Sequence, residues 1–192
     1  NYANLFFGKL EKSLLEAARL KPTVWLRYLD DIFFIWDHGI DELKKFIAFA
    51  NSFHDSIKFT YEYSDKSVNY LDLTIRNIDN VLETDLYCKP TDAHQYLHWT
   101  SCHPPHVKKN LPFGLAYRLR RICSKDEYFG KRADELKEFF LSRQYKFKVI
   151  DAAIERAKSI PRKDTFTRKG KLASKRIPLV TTYQPGLPNL HC

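Results

Sequence analysis

The run VWLRYLDDIFFIW, residues 24–36, carries the strongest structural signal in the chain. It is apolar and aromatic except for Arg27 and the adjacent pair Asp30 and Asp31. Aromatic and β-branched residues favour strands, and an acidic pair between two such runs marks a turn. Residues 24–29 and 32–36 are therefore predicted to form a hairpin with Asp30 and Asp31 at the connection. A carboxylate within an apolar core is costly unless cations, hydrogen bonds or solvent compensate it. Two arrangements satisfy that demand: an ordinary Asp-Asp turn, or a hairpin that presents two aspartates to a divalent metal. Tyr28-Leu29-Asp30-Asp31 alone leaves both open.

Upstream, residues 2–20 read as a helix, with Tyr2, Phe6, Leu10 and Leu14 at i+4 steps and Pro22 closing it. Downstream, Asp41 is expected to cap a second helix carrying the stripe Leu43, Phe46, Ile47, Ala50 and Phe53. Ile57, Phe59, Tyr61 and Tyr63 alternate with polar residues and predict a strand. Leu71, Leu73 and Ile75 predict another, with a turn at 77–80 and a further strand at 81–88. This order gives an α+β layer with antiparallel pairing.

After Lys89-Pro90 the character changes. Residues 89–104 are polar and irregular, with 91–104 as a connection between two parts. A short helix is predicted at 105–110 and a second from Pro112, with Leu111, Leu115, Leu119 and Ile122 as its buried stripe. Helices at 126–143 and 146–159 follow. Residues 161–175 are basic and read as flexible, 177–183 as a strand and 185–188 as linker. The domain division expected is 1–90, 91–104, 105–160 and 161–192.

The net charge of +9 is unevenly distributed: residues 1–104 hold 11 Lys/Arg against 15 Asp/Glu, and residues 105–192 hold 21 against 8. An acidic half joined to a basic half suggests a polyanion along the second and a metal or active site in the first; a solvated helical surface is the alternative. No stretch is long and apolar enough to span a membrane, and no secretory signal is visible. Cys88, Cys102, Cys123 and Cys192 are widely spaced, as expected for reduced thiols in an intracellular protein. The chain lacks methionine and opens on Asn1 inside a predicted helix, so a fragment of a longer polypeptide is expected.

The ordered set YANLFFGKLE, YLDDIFFIW, VNYLDLTI, LETDLYCKPTDAHQYLHWTSCHP and LAYRLRRICS resembles the reverse transcriptase domain of the Penelope-like retroelement family, from about residue 1 to residue 183. The resemblance implies the C-terminal part of a polymerase palm, with its YxDD hairpin, followed by a helical basic thumb. It implies an RNA-directed DNA polymerase that uses two Mg2+ ions, deoxynucleoside triphosphates and a primer paired to an RNA template, in a nuclear setting. Asp30 and Asp31 would hold metal, and Tyr28 would pack beside the primer terminus. Tyr2, Ala3 and Asn4 match the end of the segment lining the nucleotide pocket. A further aspartate of the site would lie upstream, in a missing N-terminal part of the same polypeptide, so this piece is not expected to polymerise alone.

Lys89 stands where primer phosphates would pass, and Lys108, Lys109, Arg118, Arg120 and Arg121 would face the duplex. The helix pair predicted at 104–124 also has helix-turn-helix spacing, which keeps open a non-catalytic nucleic-acid-binding remnant of a retroelement. Asp72 reads as a solvated strand position. Cys88, His94, His98, Cys102, His103 and His106 have zinc-ligand chemistry but no finger-like spacing, so zinc is not expected.

Overall fold

The computed structural model describes residues 2–167. The fold is α+β, in two compact units that divide between Leu71 and Asp72. The first contains α1 (Tyr2–Ala17), β1 (Val24–Tyr28), β2 (Asp31–Ile35), α2 (Ile40–Ser52) and β3 (Ser67–Tyr70). The second contains β4 (Leu73–Ile78), β5 (Val81–Leu86), α3 (Pro105–Ile122), α4 (Asp126–Ser142), α5 (Phe147–Lys158) and a 3-10 turn, Arg162–Thr165.

In the first unit β1 and β2 pair antiparallel from Val24↔Ile35 to Tyr28↔Asp31. The two-residue period puts Trp25 and Phe34 on one face, stacked 5.4 Å apart. That face meets the core of Leu14, Ala18, Leu43, Phe46, Ile47 and Ala50, contributed by α1, the residue that follows it and α2. The stripe expected on α2 is the one that packs. Its start differs: Gly39, at φ 81, is the N-cap, and Asp41 sits in the first turn. A left-handed φ is one that glycine adopts without penalty. On α1 the apolar pattern extends beyond the packing. Leu14 is buried, but Tyr2 is 83% exposed and Leu5 is also exposed.

The alternation at 57–63 does not produce a strand. Instead the Asn51 side chain brackets Phe59: its amide donates to Phe59 O at 3.1 Å and its carbonyl accepts from Phe59 N at 2.5 Å. A side-chain amide thus supplies the hydrogen bonds a neighbouring strand would have given.

In the second unit β4 and β5 form a hairpin through Asp79 and Asn80, both at positive φ as a two-residue type I′ connection requires. This hairpin belongs to the same compact unit as the helices. Hydrogen bonds explain the allegiance. Ser124 N donates to Thr84 O at 2.9 Å, Thr84 N donates to Ser124 Oγ at 3.0 Å, and Thr84 Oγ1 donates to Ile122 O at 2.6 Å. Buried Asp85 receives two bonds from Arg132, and buried Glu83 accepts from Tyr128 at 2.6 Å.

The helices α3, α4 and α5 surround a core that includes Ala116, Leu119, Ile122, Phe129, Leu136, Phe140 and Ile150. One continuous helix covers 105–122, where a short helix and a longer one were expected, and Pro112 lies inside it. An internal proline loses a backbone bond at a cost of about 3 kcal/mol, offset here by complete burial of its ring. Leu119 and Ile122 of the expected stripe are buried, together with Pro112 and Ala116, while Leu111 and Leu115 are only partly so. Residues 161–167, expected to be flexible, contain the 3-10 turn with Thr165 fully buried. The strand expected at 177–183 and the linker at 185–188 lie outside the described residues.

Candidate metal-binding hairpin and nucleic-acid interface

The acidic pair does not enter the core. Tyr28 and Asp31 form the last pair of the ladder, leaving Leu29 and Asp30 as the two-residue turn. Asp30 and Asp31 are exposed, Tyr28 is 59% exposed, and neither carboxylate makes a hydrogen bond or ion pair among the described residues. The strand period puts Tyr28, Leu26, Asp31 and Phe33 on the face opposite Trp25 and Phe34. Leu26 is exposed there, and Phe33 lies 5.6 Å from the ring of Tyr70. Tyr70 donates a long bond, 3.4 Å, to Asp31 O. Burial, followed by the charge of Asp31, pushes the Tyr70 phenol above its ordinary pKa.

Leu29 has φ 57, an uncommon conformation for a residue with a side chain. Its carbonyl accepts from Arg27 Nη1 at 2.8 Å. Arg27 also pairs through Nε with Glu11 Oε2 at 2.8 Å, lies 5.6 Å over the Phe7 ring, and is largely buried. Glu11 Oε1 in turn accepts from Trp25 Nε1 at 2.9 Å. The one cation in the apolar run is thus anchored to α1 and grips the turn from behind. Sequence reasoning missed Arg27 and Glu11 as supports of the tip; a lone arginine on the helix-facing side of the strand was the available signal. Tyr2, Ala3 and Asn4 lie exposed in the first turn of α1.

Two exposed aspartates from adjacent positions offer hard oxygen donors without competing partners. This suits Mg2+, which commonly takes one or two carboxylates and completes its shell with water and substrate phosphates.

In the second unit the basic residues separate into two groups. Arg120 is mostly buried, donating to Ile160 O at 2.9 Å and pairing with Asp126. Arg121 donates from Nε to Thr165 O at 2.9 Å. Arg162 extends the same fastening, donating to Arg121 O at 3.2 Å. These contacts hold the segment after α5 against α3. Arg118 is half exposed and paired with Asp72, so Asp72 has a partner instead of facing solvent alone. Lys108 donates to Ser101 O at 2.8 Å and lies 5.9 Å from the Trp99 ring. Lys89 and Lys109 are exposed.

The connection expected to be irregular at 91–104 contains no regular element, but it is packed. Trp99 N donates to Arg143 O at 3.0 Å, and Tyr96 stacks on Phe140 at 5.3 Å. It also brings Cys88, Asp92 and His94 together, with their potential donor atoms all within 4.8 Å of one another. Cys88 and His94 were candidates on residue type; Asp92 was not among them. Burial, and then Asp92, push the Cys88 thiol above its ordinary pKa.

Residues 95–155 match the family of the animal helix-turn-helix domain. The match covers the later part of the packed connection, α3, α4 and most of α5, with Cys123-Ser124-Lys125 as the tight link between the first two helices. The helix-turn-helix similarity therefore belongs to the three helices, not to a pair within 104–124, which is a single helix. No curated protein and no solved structure matches the chain. No helix among the described residues is long and apolar enough to cross a membrane.

Proposed function

We propose that this chain is the YxDD hairpin and thumb portion of an RNA-directed DNA polymerase of retroelement type. The observation that carries the reading is the hairpin tip: Tyr28, Asp30 and Asp31 stand exposed at a two-residue turn whose first residue is in the left-handed region. Strained backbone persists where surrounding structure enforces it, commonly at functional sites. Asp30 and Asp31 would hold Mg2+, which when bound activates the primer hydroxyl and neutralises charge on the triphosphate. Tyr28 would pack against the primer terminus. The third carboxylate would come from upstream sequence, and the setting would be nuclear.

The similarity of 95–155 to a helix-turn-helix domain supports nucleic-acid binding by the second unit. Lys89, Lys108, Lys109 and Arg118 are the proposed phosphate contacts. Arg120 and Arg121 support the fold that presents them. That same similarity favours a second reading, a helix-turn-helix-like binder without catalysis.

Affinity for an RNA–DNA hybrid should fall with salt; four phosphate contacts give a slope of log K against log salt of about −3.6. A flat response removes the second unit from the interface. In a polypeptide that includes the upstream aspartate, Mg2+-dependent primer extension should be lost in Asp30→Ala while hybrid affinity is retained. Extension that survives Asp30→Ala refutes the catalytic assignment; no extension by the unsubstituted polypeptide, with hybrid binding intact, favours the binder.

A further inference from the structure

We propose that Cys88, Asp92 and His94 form a binding site for a zinc-class divalent cation, independent of the Mg2+ reading of the hairpin. The three side chains come from the connection after β5 and bring together a sulfur, a carboxylate and an imidazole. Their donor atoms lie within 4.8 Å of one another. Tetrahedral zinc, with bonds of about 2.0–2.3 Å, holds its ligand atoms about 3.5 Å apart, so a contraction of about 1 Å closes the set.

The site is built by local structure. Asp92 N donates to Lys89 O at 2.9 Å, making a turn, and Asp92 Oδ1 accepts from His94 N at 2.9 Å. That bond fixes the spacing of two ligands. His94 adopts φ 49, uncommon for a residue with a side chain, and its ring stacks 4.1 Å from Phe139 with an interplanar angle of 18°. His94 Nδ1 is buried and lacks a hydrogen-bond partner, standing 3.6 Å from Asp92 Oδ2. An orphaned ring nitrogen beside a carboxylate and a thiol is an arrangement of lone pairs that a cation completes.

The charge balance also fits. A thiolate and a carboxylate neutralise a divalent ion, and the thiol proton passes to solvent on coordination. Arg118 and Arg132 line the same cleft, but Asp72, and Asp85 with Glu135, already pair with them. Sulfur with imidazole selects a borderline-soft ion over Mg2+ or Ca2+. Three protein ligands leave a fourth position for water from the cleft. Binding would tie the 88–94 connection into one piece against Phe139 of α4.

The test is a Co2+ titration of the purified full chain under reducing conditions. One ion per chain should give a thiolate-to-cobalt charge-transfer band that Zn2+ displaces. Cys88→Ser should abolish the band. Asp92→Asn and His94→Gln should each weaken affinity about tenfold or more, and Cys102→Ser should leave it unchanged. Circular dichroism checks that each variant is folded. Wild-type chain supplies an assay without substitution: Zn2+ should protect Cys88, and not Cys102, from alkylation mapped by mass spectrometry. A missing band, a band that persists in Cys88→Ser, affinity indifferent to both Asp92→Asn and His94→Gln, or unprotected Cys88 overturns the site.

Discussion

Replacing Arg132 by leucine isolates the buried carboxylate that joins the β4–β5 hairpin to the helices. Arg132 donates from Nε to Asp85 Oδ1 at 3.0 Å and from Nη2 to Oδ2 at 2.8 Å, and Asp85 is only 3% exposed. Removing one partner of a buried pair costs about 3–5 kcal/mol, because the remaining charge stays desolvated. Arg76 still stands 3.3 Å from Asp85 Oδ2 and the Leu86 amide donates at 2.8 Å, which places the cost near the lower end, about 3 kcal/mol. In a unit of roughly 100 residues each kcal/mol shifts the melting temperature about 4–8 °C, so Arg132→Leu should lower it by about 12–24 °C.

The pH dependence of the same variant tests the cause. Burial pushes the Asp85 carboxyl up, but Arg132, the Leu86 amide and Arg76 together outweigh it and hold the group below its ordinary pKa. Asp85 thus contributes stability above its unfolded-state pKa, and this is lost as pH falls through the lower folded value. Without Arg132 the folded pKa rises, protonation relieves the buried charge, and the deficit relative to wild type should shrink on acidification. Urea unfolding at about pH 7 and about pH 4, followed by far-ultraviolet circular dichroism, measures both. A deficit under about 1 kcal/mol at neutral pH, or one that grows in acid, refutes the reasoning.

Three other outcomes follow from the structure. At the hairpin tip, Leu29→Gly should preserve or slightly raise stability, whereas Leu29→Val should lower it, because glycine adopts φ 57 without penalty and a β-branched side chain is more strained there than leucine; equal tolerance in denaturant unfolding counts against a left-handed turn. Arg121→Ala should expose the segment after α5, since it removes the donor to Thr165 O. Limited proteolysis read by mass spectrometry should then show new cleavage at 160–167, and an unchanged digest removes the fastening role. Cys123 is buried, and desolvation followed by Asp85 pushes its thiol up to about 11. At mildly alkaline pH it should resist alkylation until the protein unfolds while exposed Cys102 reacts readily; equal labelling rates contradict the burial.

Periodicity made the regular elements legible where one face packs on a core. The α2 stripe, the 24–36 hairpin and the helices near 126–143 and 146–159 all follow from apolar spacing, because burial imposes that spacing. It misled at 57–63, where alternation exists but Asn51 substitutes for a strand neighbour. It also misled at Pro112, where tertiary burial outweighs a helix breaker and merges two expected helices. The β4–β5 hairpin is joined to the helices by hydrogen bonds from Thr84, Asp85 and Glu83, whose partners lie about 40 residues away. No local pattern announces such partners. The same limit applies to charge: sequence reveals the cations Arg120 and Arg121 but not the carbonyls they meet.

The hairpin's physical problem is displaced from Asp30 and Asp31 to Arg27. The carboxylates stand in solvent at the tip, so they need no compensation for burial and remain available to a cation. Arg27, drawn toward the helices, is the charge that must be compensated, and Glu11 on α1 does so. Its Nη1 bond to Leu29 O then couples the packing of α1 to the backbone of the turn. Arg27→Met would remove both interactions while retaining much of the apolar stem, leaving Glu11 its bond from Trp25. The expected consequence is a looser turn and a loss of stability in denaturant unfolding, because Glu11 is left without its cation, while the Trp25–Phe34 stack does not depend on the guanidinium. Under the polymerase reading, Arg27 acts by holding the position of the tip, while the chemistry at the tip belongs to Asp30 and Asp31.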